Sequence, residues 1–192
     1  DAIASKGIEE LREKIDYLSL CAHKLTNKYR IDGIVLEGYY ASKGSESYSD
    51  YLLNGSGIGF ENWLRDNSGY VFRLVSNAIR STSNTVSVGI AIENAWMNKR
   101  NDERGSDTKD DFEALADGFS DTKAYIENGY ADFMIVTCFG GLKSVELNFV
   151  SIVSWWNSLA SAAGIPMFIS HANERISNSD SKWAADQILK QL

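Results

Sequence analysis

The chain has 192 residues, a formal net charge of −7 at pH 7 and an isoelectric point near 4.9. This length is enough for one substantial domain with its own core, and we expect a single domain over residues 1–192. The acidic balance argues against a nucleic acid or an anionic membrane as a partner, because both require a basic face. No apolar run approaches the ~20 residues of a membrane-spanning helix, so we also expect no membrane insertion.

Two cysteines, Cys21 and Cys138, lie far apart in the sequence. They are too few for a disulfide framework and lack the spacing of a metal site, so we interpret both as buried thiols. We predict neither a metal nor a cofactor. The chain begins at Asp1 without a methionine or a signal peptide, so we expect it to be a piece of a longer polypeptide.

The first predicted element is a helix over residues 7–29, where aliphatic side chains recur at three- and four-residue steps and Ser5 is a candidate cap. "IDGIVLEG" (31–38) follows, a short apolar run rich in β-branched residues that is typical of a strand buried on both faces. Residues 41–59 are rich in Ser, Gly, Tyr and Asn and predict a loop.

The middle of the chain repeats this alternation. "FENWLRDNSGYVFRLVSNAIRS" (60–81) predicts an amphipathic helix, and "TVSVGIAIE" (85–93) a second buried strand. Residues 98–111 are polar and charge-dense without calcium-loop spacing, which predicts a solvated loop. "DFEALADGFSDTKAYIENG" (111–129) predicts a third helix that ends at Gly129.

The remaining elements follow the same order. We predict a strand over 131–139, a helix over 146–164 that ends at glycine, a strand over 165–172 and a closing helix over 181–192. The adjacent Trp155 and Trp156 cannot face the same way on a helix, so we expect one against the sheet and the other at a seam between helices.

The predicted fold class is therefore α/β, with parallel βα repeats, four strands and five helices. Strands separated by helices, with no hairpin signal, are joined in parallel by right-handed crossovers. Two architectures fit: a small open sheet with helices on both faces, or part of a (β/α)8 barrel, whose complete form needs ~250 residues and eight strands. The pattern alone leaves both open.

In either architecture the functional surface lies at the carboxyl ends of the strands. The four predicted ends read "LEGYY", "IENAW", "TCFGG" and "SHANER", and each turns polar or aromatic at the same level. The polar side chains expected at this rim are Glu37, Glu93, Cys138, His171, Asn173 and Glu174. The aromatic side chains expected to line it are Tyr39, Tyr40, Trp96 and Phe139.

Two carboxylates that face an aromatic cleft are the side chains needed for glycosidic-bond hydrolysis. One protonates the leaving oxygen, and the other attacks the anomeric carbon or activates water. Each residue also has a structural alternative. Glu37 could pair with a lysine or a backbone amide, Glu93 could begin a solvated loop, His171 could be a core histidine, and Glu174 could form a surface ion pair with Arg175. For Cys138 packing is the simpler interpretation.

Several segments resemble the glycosyl-hydrolase-like family 10 domain of secreted bacterial proteins. "DGIVLEGYY" (32–40) is similar to the family's "DGIHFDDYFY", and "VGIAIENAW" (88–96) to "FGISPFGIW". "IVSWWNSL" (152–159) matches "LVKWWNEV", and "MFISHANERI" (167–176) matches "LYIGHAAYKI". The order and spacing of these segments, rather than any one of them, carry the resemblance.

The resemblance implies a (β/α)8 barrel of which this chain covers strands four to seven, in an extracellular or cell-envelope protein that acts on carbohydrate. A half-barrel exposes two edge strands, so a partner chain or a further segment is expected to complete it. By analogy of position, Glu37 is the proton donor, and Glu174, or else Glu93, is the second carboxylate. Tyr39, Tyr40, Trp96, His171 and Asn173 are then the expected substrate-binding residues.

The chain also departs from the family pattern, which leaves its function open. Glu37 and Gly38 replace two consecutive aspartates, and Glu174 stands where the family has a tyrosine. One hypothesis is therefore a glycoside hydrolase that acts on a polysaccharide or cell-wall glycan, and the other is a catalytically degenerate carbohydrate-binding or scaffold domain on the same fold. A flavodoxin-like binder is a third interpretation, but "EGYYASKGSE" lacks the spacing of a phosphate-binding glycine loop.

Overall fold

The structure is a computed structural model, and it describes residues 2–37, 40–55, 57–93, 95–138 and 148–170. Helices and strands alternate along most of this length. In chain order they are α1 (Ala2–Lys28), β1 (Gly33–Leu36), α2 (Ser45–Asn54), α3 (Phe60–Thr82), β2 (Ser87–Ile92), α4 (Thr122–Glu127), β3 (Phe133–Thr137), α5 (Phe149–Ala163) and β4 (Met167–Ser170).

The four strands form one sheet in the order β1-β2-β3-β4, and every neighbouring pair is parallel. The predicted α/β class is therefore confirmed. A doubly wound sheet reverses its strand order at a switch point, where ligands such as flavin bind. The described strands show no reversal, so the arrangement is compatible with part of a (β/α)8 barrel and removes the flavodoxin-like interpretation.

One face of the sheet is packed against helices. Alternate residues of the two central strands, Ile90, Ile92 and Met134, are completely buried there, as is Trp156 of α5. Such a face excludes water from several large side chains, each worth about 1.5–3 kcal/mol of transfer free energy. The core therefore lies between the sheet and the helices.

The opposite face of the sheet has no covering layer among the described residues. Phe168 of β4 is 55% exposed there, and its ring meets the edge of Phe133 at a centroid distance of 6.0 Å. The ring of Phe133 in turn lies over Gly89, where any side chain would collide with it. Parallel sheets are almost always covered on both faces, which makes this half-open sheet unusual.

Each of the four predicted strands contains a shorter observed strand, and α3 extends the predicted helix over 60–81 by a single residue, Thr82. The first helix begins at Ala2, earlier than predicted, so Ser5 lies inside it rather than at its cap. Alanines at positions 2 and 4 are strong helix formers, which explains the earlier start. The predicted helix over 181–192 lies outside the described residues.

The prediction of a loop over residues 41–59 is wrong, because α2 lies within it. The helix is nucleated where the Gly44 backbone N–H donates to Ser47 Oγ at 2.9 Å. Its side chains Tyr48, Tyr51 and Leu52 have helical spacing, a signal hidden by the polar composition around them.

The prediction of a helix over residues 111–129 is also wrong, because only Thr122–Glu127 is helical. Asp121 starts this helix by accepting a hydrogen bond from the Ala124 N–H at 3.1 Å. Just before it, Phe119 has φ of +46°, a left-handed conformation that a helix cannot continue through. Gly129 follows the end of α4, also with positive φ.

The loop over residues 98–111 is less solvated than its composition predicts. Asn98 is completely buried. Its backbone N–H and its side-chain amide both donate to the carboxylate of Glu113, at 2.6 and 2.7 Å. Asn101 donates to both oxygens of the same carboxylate. These contacts give the connection after β2 an internal polar core.

The two adjacent tryptophans do face different ways. Trp156 is buried in the core, whereas Trp155 donates its indole N–H to the carbonyl of Arg104 at 2.8 Å, in the connection after β2 rather than at a helix seam. Cys138 is buried as expected, and Cys21 only partly so. Within the described part of the chain, no helix is long and apolar enough to cross a membrane.

Candidate functional site

The carboxyl ends of the four strands lie along one edge of the sheet. Thr137 and Ser170, the last residues of β3 and β4, are paired with each other. Ile92 pairs with Val136, so the next residue, Glu93, is level with Thr137. Leu36 pairs with Ile90, which places Glu37 level with Ala91. Along the strand direction, Glu93 therefore lies two residues further than Glu37.

Glu37 and Glu93 therefore lie at neighbouring strand ends. Glu37 is the first residue after β1 and Glu93 the first residue after β2, so both follow strand ends at the same edge of the sheet. Glu37 also borders the helix-covered side, where it lines a cavity with Val71 and Phe72 of α3. With strands ~4.8 Å apart and a rise of ~3.3 Å per residue, their Cα atoms are expected about 8 Å apart. This spacing lets two glutamate side chains reach one sugar unit from two strands.

Both carboxylates are accessible to a ligand. Glu37 and Glu93 are exposed, and neither forms a hydrogen bond or an ion pair with another residue of the described ranges. The aliphatic strand that ends on Glu37 therefore does not bury its charge, and no desolvation cost has to be offset there.

An apolar cavity of about 470 Å³ lies beside Glu37, between α1, the end of β1 and α3. Its walls include Leu36, Val71, Phe72 and Val75. The volume is within the range of small-molecule sites, and a carboxylate at the border of an apolar cavity is a common arrangement in such sites.

Tyr40 joins the connection after β1 to the connection after β2. Its ring packs edge-on against Phe112 with centroids 5.4 Å apart. The N–H of the next residue, Ala41, donates to the carbonyl of Gly118 at 2.9 Å. A Cβ on Gly118 would lie 2.6 Å from Tyr40 Cδ1, so only glycine fits this contact. Tyr40 also lines the cavity beside Glu37, so this packing lies next to the candidate proton donor.

Trp96 is 2% exposed and is enclosed by its neighbours. Its ring stacks on Trp155 at 6.0 Å with nearly parallel planes, and its indole N–H donates to Asp121 Oδ1 at 2.8 Å. The guanidinium of Arg104 lies 5.2 Å from the ring centroid. This packing holds the connection after β2 against α5, and a contact of Trp96 with substrate stays a prediction.

Tyr39, His171, Asn173 and Glu174 lie outside the described residues, as does Phe139. Their convergence with Glu37 and Glu93 therefore also stays a prediction.

An aromatic cluster in the connection after β1 was missed from the sequence. The rings of Tyr48, Tyr51, Phe60 and Trp63 lie in a chain of contacts with centroid distances of 5.2–6.3 Å. Tyr48 is 48% exposed, so part of the cluster is open to solvent. The signal for it is the spacing of three residues within each pair, Tyr48 with Tyr51 and Phe60 with Trp63.

A charged cluster surrounds the strained Phe119 near the same connections. Lys43 lies 5.2 Å and Arg65 5.7 Å from the centroid of its ring. Lys43 also pairs with Glu61 at 2.6 Å, and this hydrogen bond and charge lower the pKa of the Glu61 carboxyl. Left-handed backbone at a bulky residue costs about 1–3 kcal/mol and tends to occur at functional sites.

Among the described residues, no three His, Cys, Asp or Glu side chains form a metal-binding group.

Comparison with known proteins finds relatives that are named glycosyl hydrolases. No protein-family model matches the chain. Glycosyl hydrolase DigH of Escherichia coli K12 is 23% identical over 174 residues, which cover 87% of this chain and 38% of the relative. Glycosyl hydrolase YngK of Bacillus subtilis is 22% identical over 182 residues, which cover 93% of this chain and 34% of the relative. The chain thus resembles glycosyl hydrolases at low identity and spans little more than a third of their length.

Proposed function

We propose that the chain is a glycoside-hydrolase-like domain that acts on a polysaccharide or cell-wall glycan. The observation that carries this proposal is the placement of two accessible glutamates, Glu37 and Glu93, at adjacent carboxyl ends of a singly wound parallel sheet. Active sites of (β/α)8 barrels lie at this end of the strands. The similarity to proteins named glycosyl hydrolase supports the same class of activity.

In this proposal Glu37 donates a proton to the glycosidic oxygen, and Glu174 or Glu93 is the second carboxylate. The second group either attacks the anomeric carbon or takes a proton from the attacking water. A separation of ~5–5.5 Å between the two carboxyl groups would give retention of configuration at the anomeric carbon. A separation of ~6.5–9.5 Å would give inversion. Tyr39, Tyr40, Trp96, His171 and Asn173 are proposed to position the sugar.

The test is hydrolysis of polysaccharide and peptidoglycan fragments by single variants of the chain. Replacement of Glu37 by Gln removes the acidic proton but keeps the shape, and we expect the release of reducing ends to fall by ~100-fold or more. The same assay on Glu93→Gln and Glu174→Gln identifies the second carboxylate, since only one of them should show a comparable loss.

The matched control is Glu46→Gln, an exposed glutamate in the first turn of α2, which should hydrolyse at the parent rate. Unchanged hydrolysis in the Glu37 variant would overturn the assignment of the proton donor.

A catalytically degenerate carbohydrate-binding or scaffold domain is the second candidate. It is favoured by the burial of Trp96, whose ring would have to be uncovered before it could contact a sugar. It is also favoured by Glu37 and Gly38, which stand where the resembled family has two consecutive aspartates. It predicts glycan binding without any release of reducing ends, so measurable turnover by the parent chain removes it.

We further propose that the domain works outside the cell or at the cell envelope and that further strands complete its barrel. The uncovered sheet face and the shortness of the chain relative to the glycosyl hydrolases it resembles support this completion. The strands would come from a partner chain or from a further segment of a longer polypeptide.

A further inference from the structure

A second cavity of about 470 Å³ lies on the outer side of the helices, between α3 and α4, and we call it the α3–α4 groove. Two small residues create it, Gly69 on α3 and Ala124 on α4. A Cβ on Gly69 would lie 3.2 Å from the ring of Tyr125, so the helices already touch at the floor and cannot close further. The groove is therefore a fixed feature of this helix pair.

The floor of the groove is a rigid aromatic ring. Tyr125 is 2% exposed and stacks on Phe72 with centroids 4.9 Å apart and planes 21° from parallel. Its hydroxyl accepts a hydrogen bond from Ser120 Oγ at 3.1 Å. A ligand in the groove would thus meet a preorganised surface, which lowers the entropic cost of binding.

The wall on α3 carries an exposed aromatic ring beside a cation. Tyr70 is 46% exposed, and the guanidinium of Arg73 lies 5.4 Å from its ring centroid. Arg73 is exposed and forms no ion pair with any residue in the described ranges, so its N–H donors are available to a ligand. Asn128 lines the opposite wall, where its Nδ2 donates to the Ala124 carbonyl at 2.8 Å, and its second N–H and its Oδ1 are the groups offered to a ligand.

The charges of the lining are balanced. The lining contains two cations, Arg65 and Arg73, and two carboxylates, Asp66 and Asp121, so the groove has no net charge to attract phosphate or nucleic acid. Planar amide and guanidinium groups bind hydroxyls, and an exposed tyrosine ring packs against the C–H face of a pyranose. The lining therefore fits a neutral, polyhydroxylated ligand.

The groove opens towards the candidate active site. Asn62 lies in the first turn of α3 and Asp121 caps α4, and both line the groove. Helices that follow parallel strands begin at the carboxyl end of the sheet, where Glu37 and Glu93 lie. A glycan that leaves this edge would reach the groove first at these helix N-termini.

We propose that the α3–α4 groove is a secondary glycan-binding site, which holds a segment of the same polysaccharide away from the catalytic glutamates. This proposal rests on the proposed carbohydrate function. It assigns ring stacking to Tyr70 and hydroxyl binding to Arg73 and Asn128.

The experiment measures binding of cellohexaose, xylohexaose and chitohexaose to the 192-residue chain by calorimetry and by amide NMR. We expect one of them to shift the amide signals of Gly69 and Ala124. Tyr70→Ala and Arg73→Ala should each weaken its binding by about tenfold, which corresponds to one hydrogen bond to a charged group or one ring contact.

The matched controls are Tyr29→Ala and Arg30→Ala, an exposed tyrosine and arginine just beyond the end of α1. They should bind the hexasaccharide as the parent does. Equal affinity of the parent and the Tyr70 and Arg73 variants would overturn the proposal, and so would equal losses in the controls, or no binding of any of the three hexasaccharides to the parent.

A Glu37→Gln variant separates this proposal from the proposed activity. It should lose hydrolysis and keep the shifts at Gly69 and Ala124. If the parent hydrolyses glycans but the groove variants bind normally, only the secondary site fails. If the groove binds but no variant or parent shows turnover, only the catalytic assignment fails.

Discussion

Glu37 ends an aliphatic strand, yet its side chain is exposed at the edge of the sheet. A carboxylate in this position needs no buried partner and is open to a substrate. Trp96 was also predicted to line this edge, but its side chain is buried and stacks on Trp155. Strand periodicity predicted the position of Glu37, whereas the orientation of Trp96 depends on α5, which is more than fifty residues away.

Because of Tyr125, the free energy of unfolding is expected to fall at alkaline pH. Burial raises its pKa from 10.0 to about 12, because the phenolate loses its hydration. The unfolded chain therefore releases this proton at lower pH than the folded chain. The stabilisation is complete below pH ~10 and is lost as the pH rises towards 12, by on the order of 2–3 kcal/mol.

Urea denaturation from pH 8 to 11.5 measures this effect. Tyr125→Phe, which keeps the stacked ring, should show a smaller loss of unfolding free energy over that range than the parent. Identical slopes in the two proteins would contradict the assignment to Tyr125.

At the scale of the elements, the connections after β1 and β2 form one unit. Tyr40 packs on Phe112 and Gly118, and the Ala41 N–H bonds to the Gly118 carbonyl. Tyr40, three residues after Glu37, is thus held by a connection more than seventy residues away in sequence.

Gly118→Ala tests this coupling. Its Cβ would lie 2.6 Å from Tyr40 Cδ1 and 2.9 Å from the Ala114 carbonyl oxygen, so the two connections must move apart. We expect a loss of about 1–3 kcal/mol in unfolding free energy and a lower rate of glycan hydrolysis. Gly59→Ala is the control, since no atom lies within 4 Å of its added Cβ, and a similar loss there would refute the coupling.

The sequence predicted the strands better than the connections. Apolar runs such as "GIVL" and "FMIVT" predict strands directly, since each is short, rich in β-branched residues and preceded by an aspartate. The helix Ser45–Asn54 and the turns before Asp121 depend on single hydrogen bonds and on the strained Phe119, which composition does not reveal. For the candidate site, the sequence predicted that Glu37 and Glu93 follow neighbouring strand ends, and the register of β1 and β2 agrees. It did not predict the aromatic cluster at Tyr48.

At the scale of the whole molecule, helices cover only one face of the sheet among the described residues. Among the described strands, β1 and β4 each have a neighbouring strand on one side only. Phe168 is exposed on the uncovered face. Open parallel edges and an apolar face favour pairing with further strands.

We therefore expect the 192-residue chain to self-associate as its concentration is raised. Light scattering coupled to size-exclusion chromatography should show less association for Phe168→Lys, because a charge on this face opposes its burial. Tyr17→Lys is the control, an aromatic that is 67% exposed on α1. A parent chain that stays monomeric at all concentrations, or equal association of the two variants, would refute this role of the sheet face.

In the proposed function, Glu37 protonates the leaving group of a glycosidic bond. The most direct measurement compares hydrolysis by Glu37→Gln on a natural glycan and on an aryl glycoside whose acidic phenol leaves without a proton. We predict a loss of ~100-fold or more on the glycan and less than ~10-fold on the aryl glycoside. Equal losses on both substrates, or no loss on either, would contradict the claim.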